Sequence, residues 1–197
     1  MKTDQRIVNA MAELLRVQGY AATGIQQLAK ASGAPTGSIY HYFKGGKREV
    51  AAAALRQTGA TYMELLPLLL DRHADLATGI EAAFAAAAED LAQTGWANMC
   101  PVGTVTGEIA DVEPQLREVA DEVIASWIDE GGRYLASRGL SDADARAAMY
   151  ALLAALEGGF LLARGQRSAE PLLAAGRATA AYVASLPVAA PAEARPK

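Results

Sequence analysis

The chain of 197 residues is 52% hydrophobic and 20% charged, a balance that permits a buried core without disulfides or metal and, by length, one or two domains. Its one cysteine, Cys100, excludes an intramolecular disulfide framework and a cysteine metal cluster. The mixed, charged residues 1–9 are not the apolar run of a secretory signal, so a cytoplasmic protein is expected. The net charge of −4 is unevenly spread: through residue 50, Lys2, Arg6, Arg16, Lys30, Lys44, Lys47 and Arg48 outnumber Asp4, Glu13 and Glu49 to give +4, so the remainder carries −8. This pattern suggests a small nucleic-acid-facing module on a body that does not touch the polyanion.

Apolar residues Ile7, Met11, Leu14 and Leu15 recur at helical spacing and Gly19 supplies a stop, which predicts a first helix over about 4–18. Thr23 followed by Gln26 reads as a capping box at the start of a second helix, about 25–31. Ser32, Gly33, Ala34 and Pro35 interrupt it, and a third short helix is expected over about 36–42. Lys44, Gly45, Gly46 and Lys47 break the chain again. From Arg48 an alanine-rich helix runs to about Leu66, where Pro67 is expected to kink or end it.

Further helices are expected over about 75–94, 103–110, 114–138, 141–164 and 169–186, with Gly139 closing one and Ser141, three residues before Asp144, opening the next. No strand alternation is visible, so the fold is expected to be all-α with about nine helices. The most apolar stretch, 147–163, carries Glu157 and falls short of a membrane span, which favours a buried helix. Residues 188–197, rich in Ala and Pro, are expected to be a disordered tail. The expected division is thus 1–48, 49–187 and the tail.

Two helices of about seven residues joined by a tight glycine-containing turn, with a third before them, have the dimensions of a helix-turn-helix, whose second helix lies in the major groove of DNA. Thr36, Gly37 and Ser38 are small enough to let backbone and bases approach. Tyr40, His41, Tyr42, Lys44 and Lys47 offer donors to phosphates, while Ile39 and Phe43 would face the core. An aromatic run of this kind, standing alone, is more often core packing. Cap, turn, Gly37, aromatics and Lys47 occurring together after a basic helix reverse that weighting.

The segment GIQQLAKASGAPTGSIYHYFKGGK, residues 24–47, closely resembles the DNA-binding segment of TetR-type transcriptional regulators, and the resemblance extends over about 5–55. It implies an all-helical homodimer that binds double-stranded operator DNA through three amino-terminal helices. A long fourth helix would lead to a ligand-binding body, and the last two long helices would form a four-helix dimer interface. On this resemblance Ala29 and Gly33 are packing positions. Thr36, Gly37, Ser38 and His41 are base or close-backbone contacts, and Thr23, Tyr40, Tyr42 and Lys47 are phosphate contacts. Pro35 departs from the family pattern, where a serine or threonine caps the recognition helix; the Thr36 hydroxyl is the expected substitute. MCPVGTVTGEIAD, residues 99–111, is similar to the LmrA and YxaF subgroup of repressors, which implies repression relieved by a planar aromatic or otherwise hydrophobic effector.

Candidate effector-pocket residues are the bulky or polar groups of the alanine-rich body: Tyr62, Met63, Leu66, Phe84, Trp96, Met99, Cys100, Trp127, Tyr134, Phe160 and Arg164, with Trp96, Met99, Cys100 and Trp127 foremost. Each also suits simple core packing. Cys100 has apolar neighbours, so a buried structural thiol is favoured over a redox sensor. Leu152, Leu153, Leu156, Phe160 and Leu161, with Leu172, Leu173, Tyr182 and Val183, offer apolar surface to a twofold copy.

The alternatives are a small helical enzyme and a helical interaction module. The chain has two histidines, His41 and His73, and no HExxH, CxxC, GxSxG, GK[ST] phosphate loop or strand-linked GxGxxG, so neither catalysis nor a cofactor or metal is expected. The amino-terminal charge weighs against the interaction module.

Overall fold

The computed structural model describes residues 1–109 and 112–188. Among these it forms nine helices: α1 (Thr3–Gln18), α2 (Ile25–Ser32), α3 (Thr36–Tyr42), α4 (Lys47–Leu70), α5 (Leu76–Gln93), α6 (Pro101–Ile109), α7 (Pro114–Ser137), α8 (Asp142–Gln166) and α9 (Glu170–Ala184). The fold is all-α as expected. Among the described residues the β contact is a single antiparallel bridge between Leu140 and Val188. Apart from Val188, the segment expected as a disordered tail lies outside the described residues.

Several termini follow from local chemistry. Gly33 and Gly139 adopt φ of +62° and +105°, backbone that a side chain would strain. Ser141 Oγ accepts from the Asp144 amide at 3.1 Å, and Asp75 Oδ1 accepts from the Thr78 amide at 2.8 Å. Other expectations are corrected. Pro67 lies inside α4, which continues to Leu70; the proline forfeits one amide bond, but burial of Leu70 holds the last turn in place. The cap of α2 is Gly24, whose amide is reached by Gln27 Oε1 at 3.5 Å, because the Thr23 hydroxyl is turned inward onto the Gly19 carbonyl at 2.7 Å. Pro35 is the cap residue of α3 without any side-chain capping bond, so Thr36 does not substitute; the Pro35 carbonyl accepts from the Ser38 amide at 2.8 Å.

Two apolar clusters build the body. One packs Ile7, Met11 and Leu15 of α1, with Leu28 and Ile39, onto Leu55 of α4, Val105 of α6 and Trp127 of α7. The other joins α5, α7, α8 and α9 through Ile80, Phe84, Leu135, Met149, Leu172 and Val183. The amino-terminal helices therefore share a core with α4 and α6, and the expected boundary at 48/49 falls in the first turn of a continuous helix. Close approaches depend on glycine: a Cβ at Gly176 would meet Phe84 Cβ at 2.6 Å, and one at Gly159 would meet Leu172 Cδ2 at 2.8 Å.

Helix α8 departs from the expected buried helix. It is long and apolar enough to cross a membrane by length and composition, yet only 22% of its most apolar window is buried. Tyr150, Leu161 and Leu162 are exposed along it, beside exposed Tyr182 of α9.

Candidate nucleic-acid interface and ligand cavity

Helices α2 and α3 meet at a turn whose left-handed residue, Gly33, closes α2 while Ala34 is buried beneath it. Ile39 is fully buried and Phe43 packs against the same cluster, which fixes the rotation of α3. The opposite face is open. Gly37, Tyr40, His41, Tyr42 and Lys44 are exposed, and Thr36 and Ser38 are half-buried. Tyr40 and Tyr42 each keep 47% of their surface in solvent, and the His41 ring meets Tyr42 edge to face at 5.0 Å. A face of hydroxyls, an imidazole and an ammonium around a glycine can donate to phosphates and base edges.

Two expected contacts sit elsewhere. Thr23 is 1% exposed; its hydroxyl donates to Gly19 and accepts from Gln18 Nε2 at 3.2 Å, so the side chain braces the α1–α2 loop. Lys47 is half-buried, its Nζ held 3.9 Å from the centre of the Tyr20 ring. Burial pulls its pKa down, opposed by Glu108 and Glu113. The ammonium thus faces the body.

Further ties join head and body. Glu108 Oε2, on α6, accepts from the Ala21 amide at 2.7 Å, and Gly19 lies so close to that carboxylate that a Cβ would collide with it. Arg164 of α8 donates to the Val17 carbonyl at the end of α1, 3.1 Å away.

The body holds a cavity of about 380 Å³, open to solvent past Leu65 and Leu69 and within the size range of small-molecule sites. Eight of the eleven expected residues line it: Tyr62, Met63, Leu66, Phe84, Met99, Cys100, Trp127 and Phe160. Tyr62 and Trp127 are stacked with centroids 6.1 Å apart, and the Trp127 indole donates to the Gly59 carbonyl at 2.9 Å. Burial pushes the Tyr62 phenol up to about 12 and the Cys100 thiol well above its ordinary value, so both remain protonated near neutrality.

Three expected residues are elsewhere. Trp96 packs on the second cluster after α5. Tyr134 donates to Asp71 Oδ1 at 2.8 Å, where Arg138 also binds. Arg164 serves the α1 contact described above.

Sequence reasoning missed the polar lining. Arg16, Asp90, Asn98 and Glu157 reach the cavity, and Glu157, set against Gly103, has its carboxyl raised above 4.5 by burial. A lone acid within the apolar stretch of α8 was the available signal.

A helix-turn-helix joined to a helical body by a continuous helix and shared core defines a DNA-binding transcriptional regulator. Residues 7–54 match the model for bacterial regulatory proteins of the tetR family, and residues 77–178 match that for the C-terminal domain of LmrA/YxaF-like transcriptional regulators. The uncharacterized HTH-type transcriptional regulator YxaF of Bacillus subtilis is 32% identical over 169 residues, covering 86% of this chain and 88% of its own. The HTH-type transcriptional regulator LmrA of the same organism is 31% identical over 169 residues, covering 86% and 90%. The regulatory protein TetR from Rhodobacter sphaeroides shares the fold with a TM-score of 0.77 over 90% of this chain and 97% of its own, at 24% identity. The protein belongs to the TetR family of transcriptional regulators, with an LmrA/YxaF-like carboxy-terminal domain.

Proposed function

We propose that the protein is a homodimeric repressor, working in the cytoplasm, that leaves its operator when a small hydrophobic or aromatic effector fills the cavity. The observation that carries this reading is the partly open, largely apolar cavity walled by helices that share their packing with the reading head. Effector and operator are then linked reciprocally through one scaffold. Thr36, Gly37, Ser38 and His41 are the proposed base or backbone contacts, and Tyr40, Tyr42 and Lys44 the phosphate contacts. The proposed division places the DNA-binding domain at 1–48 and the effector and dimerisation domain at 49–187. The chemistry is recognition rather than catalysis.

The exposed face of α8 and α9 supports the dimer, in a register shifted from the one expected. Leu152, Leu153, Leu156 and Phe160 line the cavity, Leu172 and Val183 are buried within the chain, and Leu173 packs against the second cluster. Leu161 and Tyr182 therefore remain for a twofold partner, joined by Tyr150 and Leu162. Selection of bound fragments from genomic DNA, followed by a compound screen for release, tests the reading. Enriched sites that a bound compound releases support it; absence of enriched sites, or compound binding that leaves operator affinity unchanged, refutes it.

A further inference from the structure

The cavity described above has a charge arrangement that its apolar walls do not require. Glu157 enters from α8 into a wall that is otherwise largely aromatic and aliphatic, and among the described residues it forms no ion pair. Asp90 of α5 reaches the same space, where its Oδ2 accepts from Asn98 Nδ2 at 2.8 Å and from no cation among the described residues. The one basic group on the lining, Arg16 of α1, is already paired with Glu13 at 2.7 Å. The lining thus presents two carboxylates and one guanidinium, the latter engaged with Glu13 at the surface. The Cys100 thiol is the hydrogen-bond partner of Glu157; a buried carboxylate held by a thiol and no cation is costly, and a cation placed beside it lowers that cost.

The walls suit such a cation in a second way. The indole and phenol rings of Trp127 and Tyr62 stack on each other, and the indole NH is taken by the Gly59 carbonyl. The polar edge of the tryptophan is therefore satisfied inside the protein, leaving ring surface to the cavity. Aromatic faces attract organic cations through their quadrupoles, most strongly where water is excluded.

Resting on the effector reading above, we propose that the cavity takes an organic cation, a flat lipophilic body carrying a protonated nitrogen that lies against Glu157. Shape and apolar contact come from the walls; selection by charge comes from this carboxylate, with Asp90 supplying negative potential nearby. A neutral ligand of the same shape leaves Glu157 with the Cys100 thiol alone, and an acidic one is repelled by both carboxylates.

The test uses three compounds on one three-ring frame with the full-length protein, at a mildly alkaline pH: 9-aminoacridine, which is cationic there, acridine, which is neutral, and anthracene-9-carboxylate, an anion. Trp127 fluorescence, read in a Trp96→Phe background, reports entry into the cavity, and calorimetry gives affinities. The wild-type comparison needs no further variant: 9-aminoacridine is expected to bind at least tenfold more tightly than acridine, and the carboxylate weakest. Glu157→Gln, isosteric and checked for helicity, is expected to erase most of that preference while acridine binding changes little. Equal or tighter binding of acridine or the carboxylate, or a preference that survives Glu157→Gln, overturns the cation assignment and leaves the effector cavity standing. Failure of all three to enter a folded protein overturns both.

Discussion

The sharpest prediction concerns two lysines only three residues apart. Lys44 is exposed on the open face of the reading head and forms no ion pair among the described residues. The Lys47 ammonium is held over Tyr20. An ammonium that neutralises a backbone phosphate contributes about 0.9 to the slope of log affinity against log salt, so a dimer losing both Lys44 side chains loses about 1.8 from that slope. Over a fourfold rise in salt, from about 50 to about 200 mM, affinity of the Lys44→Ala dimer should fall roughly 12-fold less than that of the wild type. Lys47→Ala should leave the slope unchanged and instead remove a cation–π contact, lowering stability by about 1 kcal/mol. Fluorescence anisotropy of a labelled operator duplex across a salt series measures the first quantity, and urea unfolding the second. Equal slope changes for both variants would show that Lys47 leaves Tyr20 to reach DNA. No change for either would refute the assignment of this face.

Other expectations follow from burial and exposure. Ile39→Ala, at a fully buried position, should cost about 2–5 kcal/mol in urea unfolding and abolish operator binding; a cost below about 1 kcal/mol would mean that Ile39 does not anchor α3. Leu161 is 65% exposed, so Leu161→Glu should yield folded monomers by light scattering, whereas a persisting dimer would place the interface elsewhere. Glu157 carries a pH signature. Its folded carboxyl titrates above 4.5, so between that value and its raised value the native state holds a proton that the unfolded chain has released, and stability falls as pH rises. The groups facing it are Tyr62 of α4, Asp90 of α5, Cys100 before α6 and Arg16 of α1; the phenol and thiol, pushed upward, stay neutral through that window. Glu157→Gln should flatten the decline in chemical-denaturation curves, and an unchanged pH profile would show that Glu157 does not cause it.

The reading head was legible because its signals are local. Gly33 marks a left-handed turn, Ile39 and Phe43 give α3 an inner side, and their spacing turns Tyr40, His41 and Lys44 outward. The settings of Thr23 and Lys47 were not legible because their partners come from the folded chain: the Gly19 carbonyl in one case, and the Tyr20 ring with the acids of α6 and the start of α7 in the other. The body was legible as helices and as a set of large side chains, but a helical pattern does not say which neighbour each face meets. Leu152, Leu153, Leu156 and Phe160 look like interface residues on an isolated helix. They line the cavity, while α8 packs against α7 and α9 and leaves Tyr150, Leu161 and Leu162 open. Trp96 and Tyr134 were chosen for size and aromaticity, which do not encode direction.

The element that connects the two sites is short. At its amino end α6 presents Gly103 to the Glu157 carboxylate so closely that no side chain fits between them, and Cys100, one residue before the helix, lies on the cavity. Toward its other end Glu108 grips the Ala21 amide and fills the space over Gly19, in the loop that sets α1 against α2. A nine-residue helix with Val105 and Ile109 fully packed in the core transmits displacement as a unit, since close-packed interiors resist compression. On the proposed effector reading, a group inserted beside Glu157 would bear on the helix that holds the head's first loop, while Arg164 ties the end of α1 to α8, the helix that carries Glu157 itself. Allosteric coupling is typically about 1–3 kcal/mol, comparable to a few such hydrogen bonds made in one arrangement and lost in the other. On the proposed effector reading, Glu108 and Arg164 are the two struts that link the cavity to the reading head.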